Sequence, residues 1–397
     1  MKILHLLEAA ATGAGRHVLD LTEGLLARGH EVHLVYSPLR SDQMFTADLR
    51  RLKTKRNFHS LPLPMQRYPS PSDLLVIGKL RRYLRACGPF DLIHCHSTKA
   101  GLIGRVGLID LSVKRLYTPH GFLSMDPTAG RVTARIVSGF EKVLAKFAAG
   151  VPVVSREEYA HAVEIRIPRD KLCLIPNGVV TPLFDYVENQ RLNCRRDWGL
   201  VEGDVCIGFA GRFAPVKAPE VILDSFAAFR GRSRVPARLV MIGDGPLSAS
   251  LRRQAASLNL EGDVLWLGAR DARPLMPGFD IFALTSKSEG HPLAVLEAMT
   301  SGLPIVATRV GGIADTVQSG VNGFIAPVGD REAIANALKN LAEDGALRTR
   351  MGQASRSLSR HFSMDRTVEQ TLAFYQEIVG DVFAGRTAPL SKLAASG

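Results

Sequence analysis

The stretch Ser286-Lys-Ser-Glu-Gly-His-Pro-Leu-Ala-Val-Leu-Glu-Ala-Met299 constrains the chain more than any other. Before it, Asp280-Ile-Phe-Ala-Leu-Thr285 is an apolar run with the length and bounds of a buried strand. After it, Pro292 to Thr300 reads as a helix. Pro292 is placed in its first turn, where a missing N–H costs nothing. Strand, glycine-containing loop and helix N-terminus in this order make a βα junction. The amides of Gly290, His291, Leu293 and Ala294 point at one spot, which the helix dipole makes attractive to an anion. Glu289 on the loop and Glu297 one turn past Leu293 bracket that spot. Carboxylates repel phosphate and accept from hydroxyls, so both are assigned to hydroxyl groups of a ligand. Taken singly, either acid reads as a solvated surface charge.

A chain of 397 residues exceeds one ordinary core and suits two domains. No apolar run approaches the roughly 18–20 residues of a membrane span. The opening Met1-Lys-Ile-Leu-His-Leu-Leu reads as a first strand, not as a signal peptide. Five scattered cysteines without a Cys-x-x-Cys pair imply reduced thiols and a cytoplasmic setting. The net charge of +12 is lopsided, with +11 in residues 1–180 and +1 in residues 181–397. An anionic partner for the first half follows from that asymmetry: membrane surface, lipid phosphate or nucleic acid. Solvated charge with no partner is the competing reading.

Two βα starts recur along the chain. Lys2 to Glu8 is strand-like, and a small-residue turn containing Gly13 and Gly15 leads into an amphipathic helix. Dinucleotide binders place Gly-x-Gly-x-x-Gly here; this chain has Arg16 and His17 after Gly15. Asp204 to Ala210 is the second start, followed by a loop with Arg212 and Lys217. Two cations on one loop can neutralise a diphosphate and its charge as a leaving group. Between them, Phe90-Asp-Leu-Ile-His-Cys-His96 is a strand with a polar end, and Thr118-Pro-His-Gly121 sets His120 on a loop at a strand's carboxyl end. Ligands of open α/β sheets bind at such ends. His94 and His96 lack an acidic partner at metal-ligand spacing, so a structural or substrate-orienting role is preferred for them. The expected segments are a first domain at 1–180, a polar irregular linker at 181–200 and a second domain at 201–363. A helix at 364–382 and a disordered tail at 383–397 follow.

The Glu-x7-Glu string with Gly-x-Pro-Leu and Leu-Glu-Ala-Met inside it resembles the donor-site signature of the retaining glycosyltransferases of family 4. Gly211-Arg-x4-Lys217, Ile175-Pro-Asn-Gly and the His120-Gly121 pair also match that family, so the resemblance covers nearly the whole chain. It implies an α/β fold of two Rossmann-like domains facing a cleft, the GT-B architecture, with the acceptor bound by residues 1–180, the nucleotide-sugar donor by residues 201–363, and the last helix crossing back to the first domain. It implies that Glu289 contacts the transferred sugar, Glu297 the ribose, and Arg212 and Lys217 the diphosphate, with Gly13 and Gly15 near it. His120 would face the sugar and leaving group, and Ala269-Arg270 would lie near the base. No metal or other cofactor is expected. Three departures are visible: His291 where an apolar residue is common, Ala218 where glycine is usual, and Asp315 where glutamate is common. The first-domain strings look most like capsular and exopolysaccharide transferases. That implies a nucleotide-sugar donor, a lipid-linked saccharide acceptor and attachment to the inner face of an anionic membrane, without nucleic acid. The alternatives are a soluble-acceptor synthase, a C2 epimerase of the same architecture and, less favoured, a dinucleotide-dependent oxidoreductase.

Overall fold

The structure is a computed structural model that describes residues 1–11, 13–182 and 184–380. Two compact units emerge. The first comprises residues 1–124 and 131–176 with the helix Met364–Gly380; the second comprises residues 125–130 and 177–363.

The first unit is built on a parallel sheet of β1 (Lys2–Leu7), β2 (Glu31–Tyr36), β3 (Phe58–Pro62), β4 (Leu92–His96) and β5 (Lys114–Thr118). Its strand order is β3-β2-β1-β4-β5. A two-stranded pair, β6 (Val151–Val153) and β7 (Leu172–Leu174), adjoins it through a bridge from Leu116 to Gly150. The central strands are buried almost throughout, as parallel strands with both faces covered must be. Helices α1 (Gly13–Ala27), α2 (Gln43–Leu52), α3 (Asp73–Cys87), α4 (Thr98–Gly107), α5 (Arg131–Leu144) and α6 (Arg156–Glu164) supply the crossovers. Strand order changes direction between β1 and β4, the place where such sheets bind ligands.

The second unit opens with α7 (Phe184–Asp197), which replaces the expected irregular linker. Its reason is tertiary. Arg191 and Arg195, one turn apart, both pair with Asp280, at 2.6 and 2.9 Å. Trp198 then stacks on Phe279 with ring centroids 5.6 Å apart. The sheet has β8 (Val205–Ala210), β9 (Ala237–Ile242), β10 (Val264–Gly268), β11 (Ile281–Leu284), β12 (Ile305–Thr308) and β13 (Gly323–Ala326). All pairs are parallel and the order is β10-β9-β8-β11-β12-β13. Its switch point lies between β8 and β11. The covering helices are α8 (Pro219–Arg230), α9 (Ser248–Ser257), α10 (Leu293–Thr300), α11 (Ile313–Thr316), α12 (Arg331–Glu343) and α13 (Gly345–Ser359).

The last described helix, α14 (Met364–Gly380), belongs to the first unit. Val368, Leu372, Phe374 and Tyr375 share a core with Ile3, Leu21, Leu25 and Leu92. Arg28 reaches Asp365 at 3.3 Å. The expected tail at 383–397 lies outside the described residues. Among the described residues no helix is long and apolar enough to cross a membrane.

Candidate functional site

In the second unit the candidate residues gather at the switch point. β8 ends at Ala210 and its loop carries Arg212 and Lys217; β11 ends at Leu284 and its loop carries Glu289. The two strands are neighbours, so the two loops meet. Lys217 Nζ donates to Glu289 Oε1 at 2.5 Å, and Ser286 Oγ donates to the same oxygen at 2.6 Å. The Glu289 side chain is only 9% exposed, so this pair is largely out of solvent. Lys287 N donates to the Val216 carbonyl at 2.8 Å, which ties the loops by backbone as well. Arg212 is exposed and has no ion-pair partner among the described residues.

Helix α10 starts one residue later than expected. Pro292 is its N-cap, with extended backbone (φ −74°, ψ 115°), and Leu293 is its first helical residue. Pro292 restricts the chain before the helix rather than inside it. Val295 N returns to the Pro292 carbonyl at 3.1 Å, so the amides of Leu293 and Ala294 precede the first intrahelical bond. Glu297 lies within α10 and is buried. Behind the loop, Gly311 adopts φ +50°, and a Cβ there would stand 2.0 Å from the Glu289 carbonyl oxygen. Gly312 N donates to the Gly290 carbonyl at 2.7 Å. The glycine pair therefore fixes the path of the Glu289–His291 backbone.

His291 is engaged elsewhere by its ring. Its Nδ1 accepts from Asn177 N at 3.1 Å, and its carbonyl accepts from Asn177 Nδ2 at 2.8 Å. The ring also packs against Phe362. His291 thereby ties Asn177 to the loop that precedes α10. What His291 brings to the helix N-terminus is backbone. The second departure also has a geometric outcome: Ala218 sits in the left-handed region (φ 43°, ψ 50°) as N-cap of α8. An L side chain is strained there, and glycine is not.

In the first unit, Gly13 and Gly15 begin α1 after β1. A Cβ on Gly15 would lie 1.8 Å from the Ala10 carbonyl oxygen, so close turn packing demands that glycine. His120 follows β5 with φ 53°, an uncommon conformation for a non-glycine residue. Such local strain concentrates at functional sites. His120 stands at the partly exposed end of a histidine cluster that sequence spacing alone did not assemble. His5 lies opposite His94 in the sheet register, and His96 lies opposite Leu7 and Thr118. His5 Nδ1 and His96 Nε2 are 2.9 Å apart, and His96 Nδ1 and His120 Nε2 are 3.0 Å apart. His17 sets its ring edge-on to His120, centroids 5.0 Å apart. His94 bonds Tyr375 Oη at 2.6 Å and Thr118 Oγ1 at 2.8 Å.

Burial lowers the pKa of His5 to about 3, with repulsion from His17 adding to it. Burial lowers His17 to about 4. It also holds His94, His96 and His120 well below the ordinary histidine range, with neighbouring histidines second. The cluster is therefore neutral at pH 7. His5, His94 and His96 offer nitrogens close enough together for one cation. Both His94 nitrogens already have partners, and among the described residues no carboxylate joins the three to offset a buried dication. The donor set fits a hydrogen-bonded core better than a metal.

Two supports were not read from the sequence. Glu158, buried on α6, accepts from Gly121 N and, at 2.9 Å, from Val154 N. It thereby pins the backbone beside His120. Burial raises its pKa to about 7, against the opposing pull of those two amides. The signal was the Ser155-x-x-Glu158 spacing of a helix start, and Ser155 Oγ does cap Glu158 N at 3.1 Å. At the end of β1, buried Glu8 pairs with Arg40 and accepts from Ser97 Oγ at 3.3 Å.

Comparison with known proteins identifies the family. The family profile described as "Glycosyltransferase Family 4" matches residues 11–182, and that described as "Glycosyl transferases group 1" matches residues 190–358. The chain is 30% identical to a D-inositol 3-phosphate glycosyltransferase of Stackebrandtia nassauensis, over 77% of this chain and 72% of that one. It is 26% identical to the N-acetyl-alpha-D-glucosaminyl L-malate synthase of Bacillus anthracis, over 93% and 95%. A third relative, 26% identical over 73% and 76%, is the UDP-Gal:alpha-D-GlcNAc-diphosphoundecaprenol alpha-1,3-galactosyltransferase of Escherichia coli. Among solved structures, Anabaena Alr3699/HepE in complex with UDP and glucose superposes with a TM-score of 0.80 at 22% identity, covering 95% of this chain and all of that one. The oxidoreductase alternative falls with these matches. The chain belongs to glycosyltransferase family 4 and is a hexosyltransferase-type enzyme of the GT-B architecture.

Proposed function

We propose that this chain transfers a sugar, with retention of configuration, from a nucleotide-sugar to a lipid-linked saccharide in polysaccharide biosynthesis. The observation that carries the donor side is the Lys217–Glu289 pair, set beside the start of α10 at the switch point of the second sheet. A cation and a carboxylate held together suit a ligand with an anionic and a hydroxylated part. Lys217 and Arg212 neutralise the diphosphate, with the first amides of α10 adding to the field. Glu289 takes a sugar hydroxyl and Glu297 a ribose hydroxyl. His120 orients the transferred group. The acceptor oxygen attacks the anomeric carbon on the face that the diphosphate leaves, and the departing phosphate oxygen receives the acceptor's proton. No protein nucleophile is needed.

Helix α5 supports the lipid-linked acceptor and a peripheral position at the inner membrane face. Its one buried side chain is Glu141. Val132, Ile136, Phe140 and Val143 form one helical stripe, exposed by 72, 55, 63 and 50%. Arg131, Arg135 and Lys142 share the helix, and Lys146 follows it. An apolar stripe among cations suits an anionic bilayer surface. The Escherichia coli relative, whose name includes a diphosphoundecaprenol acceptor, supports this reading. The malate and inositol phosphate relatives support the soluble-acceptor alternative.

Two experiments test the proposal. Lys217→Ala should keep its fold and lose at least about 10²-fold in turnover, the usual cost of one preorganised electrostatic group. Near wild-type turnover would remove the diphosphate role. The full chain should sediment with anionic but not neutral vesicles, less so as salt rises. Equal behaviour toward both vesicle types would favour the soluble acceptor.

A further inference from the structure

Three of the clustered histidines form one continuous line: His5 on β1, His96 on β4 and His120 after β5. Each link joins an Nδ1 to an Nε2. A neutral imidazole has one donor nitrogen and one acceptor nitrogen. Assigning one proton therefore assigns all three rings. In one state every ring carries its proton on Nδ1. His5 donates to His96, His96 donates to His120, and His120 presents an N–H at its far nitrogen. In the other state every proton is on Nε2, and His120 presents a bare lone pair.

The inner end decides between them. His5 Nε2 is buried and has no hydrogen-bond partner among the described residues. The first state leaves a lone pair there, and the second leaves an N–H. Folded proteins leave buried backbone N–H groups orphaned more rarely than they under-satisfy buried carbonyl acceptors, and the same preference for satisfying donors favours the first state at His5. The outer end is different: His120 is partly exposed, and its Nδ1 makes no hydrogen bond within the described residues.

We infer that His5 and His96 are positioning residues that fix His120 in its Nδ1–H tautomer, so that His120 meets the substrate as a neutral hydrogen-bond donor and not as a base. The line ends blindly at His5, so it locks a tautomer and conducts no proton. His94 stays outside it, held by Tyr375 and Thr118. His17 touches His120 by its ring edge and adds no link between the rings. A neutral donor suits a sugar hydroxyl or a phosphate oxygen, both of which accept. The inference rests on the reading that His120 faces the donor, and its main readout does not depend on turnover.

The test uses full-length protein with ¹⁵N-labelled histidine, whose ring nitrogens report the tautomer directly. Wild type should show His96 and His120 as Nδ1–H. His5→Leu, which removes the inner donor, should turn His120 into a mixture of tautomers. His5→Asn sets an amide N–H where Nδ1 stood and should restore the single tautomer. Release of UDP from UDP-glucose should fall about five- to tenfold in His5→Leu, the worth of one neutral hydrogen bond, and recover in His5→Asn. His120 found as Nε2–H or as imidazolium in wild type would overturn the inference. So would an unchanged His120 tautomer in folded His5→Leu. A scrambled tautomer with unchanged UDP release would overturn the positioning role, and with it the placing of His120 at the donor. If wild type releases no UDP from UDP-glucose, the ring signals still decide the lock.

Discussion

The two units solve one topological problem with opposite chemistry. Each is a parallel sheet whose strand order reverses beside its first strand, and each puts its candidate residues at that reversal. In the second unit the reversal carries charge: Lys217 against Glu289, with Arg212 exposed nearby. In the first unit, beside the Glu8–Arg40 pair at the end of β1, it carries a core of neutral imidazoles joined ring to ring. Nine of the eleven histidines lie in the first unit. The contrast teaches that a shared fold places a site without choosing its electrostatics. Side chains at a few strand ends do that.

The sharpest way to break the comparison is acid. The five clustered histidines have folded pKa values below their unfolded ones, so the unfolded chain takes up protons first as pH falls through 6.5. Stability is full above that pH and is lost below it. For His5 and His17, whose folded pKa values lie at about 3 and about 4, the loss is on the order of 2 kcal/mol each between pH 6.5 and 5, and His94, His96 and His120 add to it in the same direction. Hydrogen exchange at pH 5, corrected for intrinsic rates, should show β1 and β4 losing protection while β8 and β11 keep theirs. Equal losses would mean that the histidine core does not set the acid limit.

The next effect concerns what holds α5 in place. Arg105 is fully buried and donates to Glu141 at 2.8 Å, and Tyr117 Oη donates to the same carboxylate at 3.1 Å. Glu141→Ala strands that guanidinium and should cost about 3–5 kcal/mol by chemical denaturation. Glu289→Ala in the second unit, which leaves only the partly exposed Lys217, should cost far less. A similar cost for both would erase the distinction between a buried structural pair and a site pair.

Glu158 sharpens the comparison within the first unit, because its shift runs against the histidines. Its folded pKa is raised from 4.5 to about 7. The folded state keeps the proton across that window while the unfolded chain releases it, so this group's contribution falls as pH rises from 4.5 to 7 and is level above. Glu158→Gln should remove that slope. The difference between variant and wild type should therefore change by on the order of 3 kcal/mol between pH 4.5 and 7.5. A constant difference would place the carboxyl at its ordinary pKa.

The smallest effect compares two left-handed residues, His120 and Ala218. Ala218→Gly relieves a strained N-cap and should stabilise the second unit by about 1 kcal/mol without loss of turnover. His120→Gly relieves similar strain and should abolish most turnover. A loss of turnover in Ala218→Gly would give that position more than a steric role.

Much of this was legible in the chain. The run from Asp280 to Thr300 read as strand, loop and helix because its residues satisfy local rules, and β11 and α10 follow it within a residue or two. The last helix was expected from residue 364, and α14 begins there and runs to Gly380, the end of the described residues. Helix α7 was missed because its stabilising partner, Asp280, lies some eighty residues away and its own composition is polar. Glu158 was missed because an acid three residues after Ser155 reads first as a helix start. Its reach to Gly121 N depends on where another loop lies.

By itself the sequence determined which segments alternate as strand and helix, where charge accumulates and which short strings carry site chemistry. Each of these is set by neighbours within a few residues: periodicity, caps, turn formers. Only the tertiary structure decided that Lys217 meets Glu289 and that His291 turns its ring to Asn177. It alone lined up His5, His96 and His120. Those pairings span tens of residues. They exist because parallel strands bring distant strand ends side by side, and burial then obliges each polar group there to find a partner.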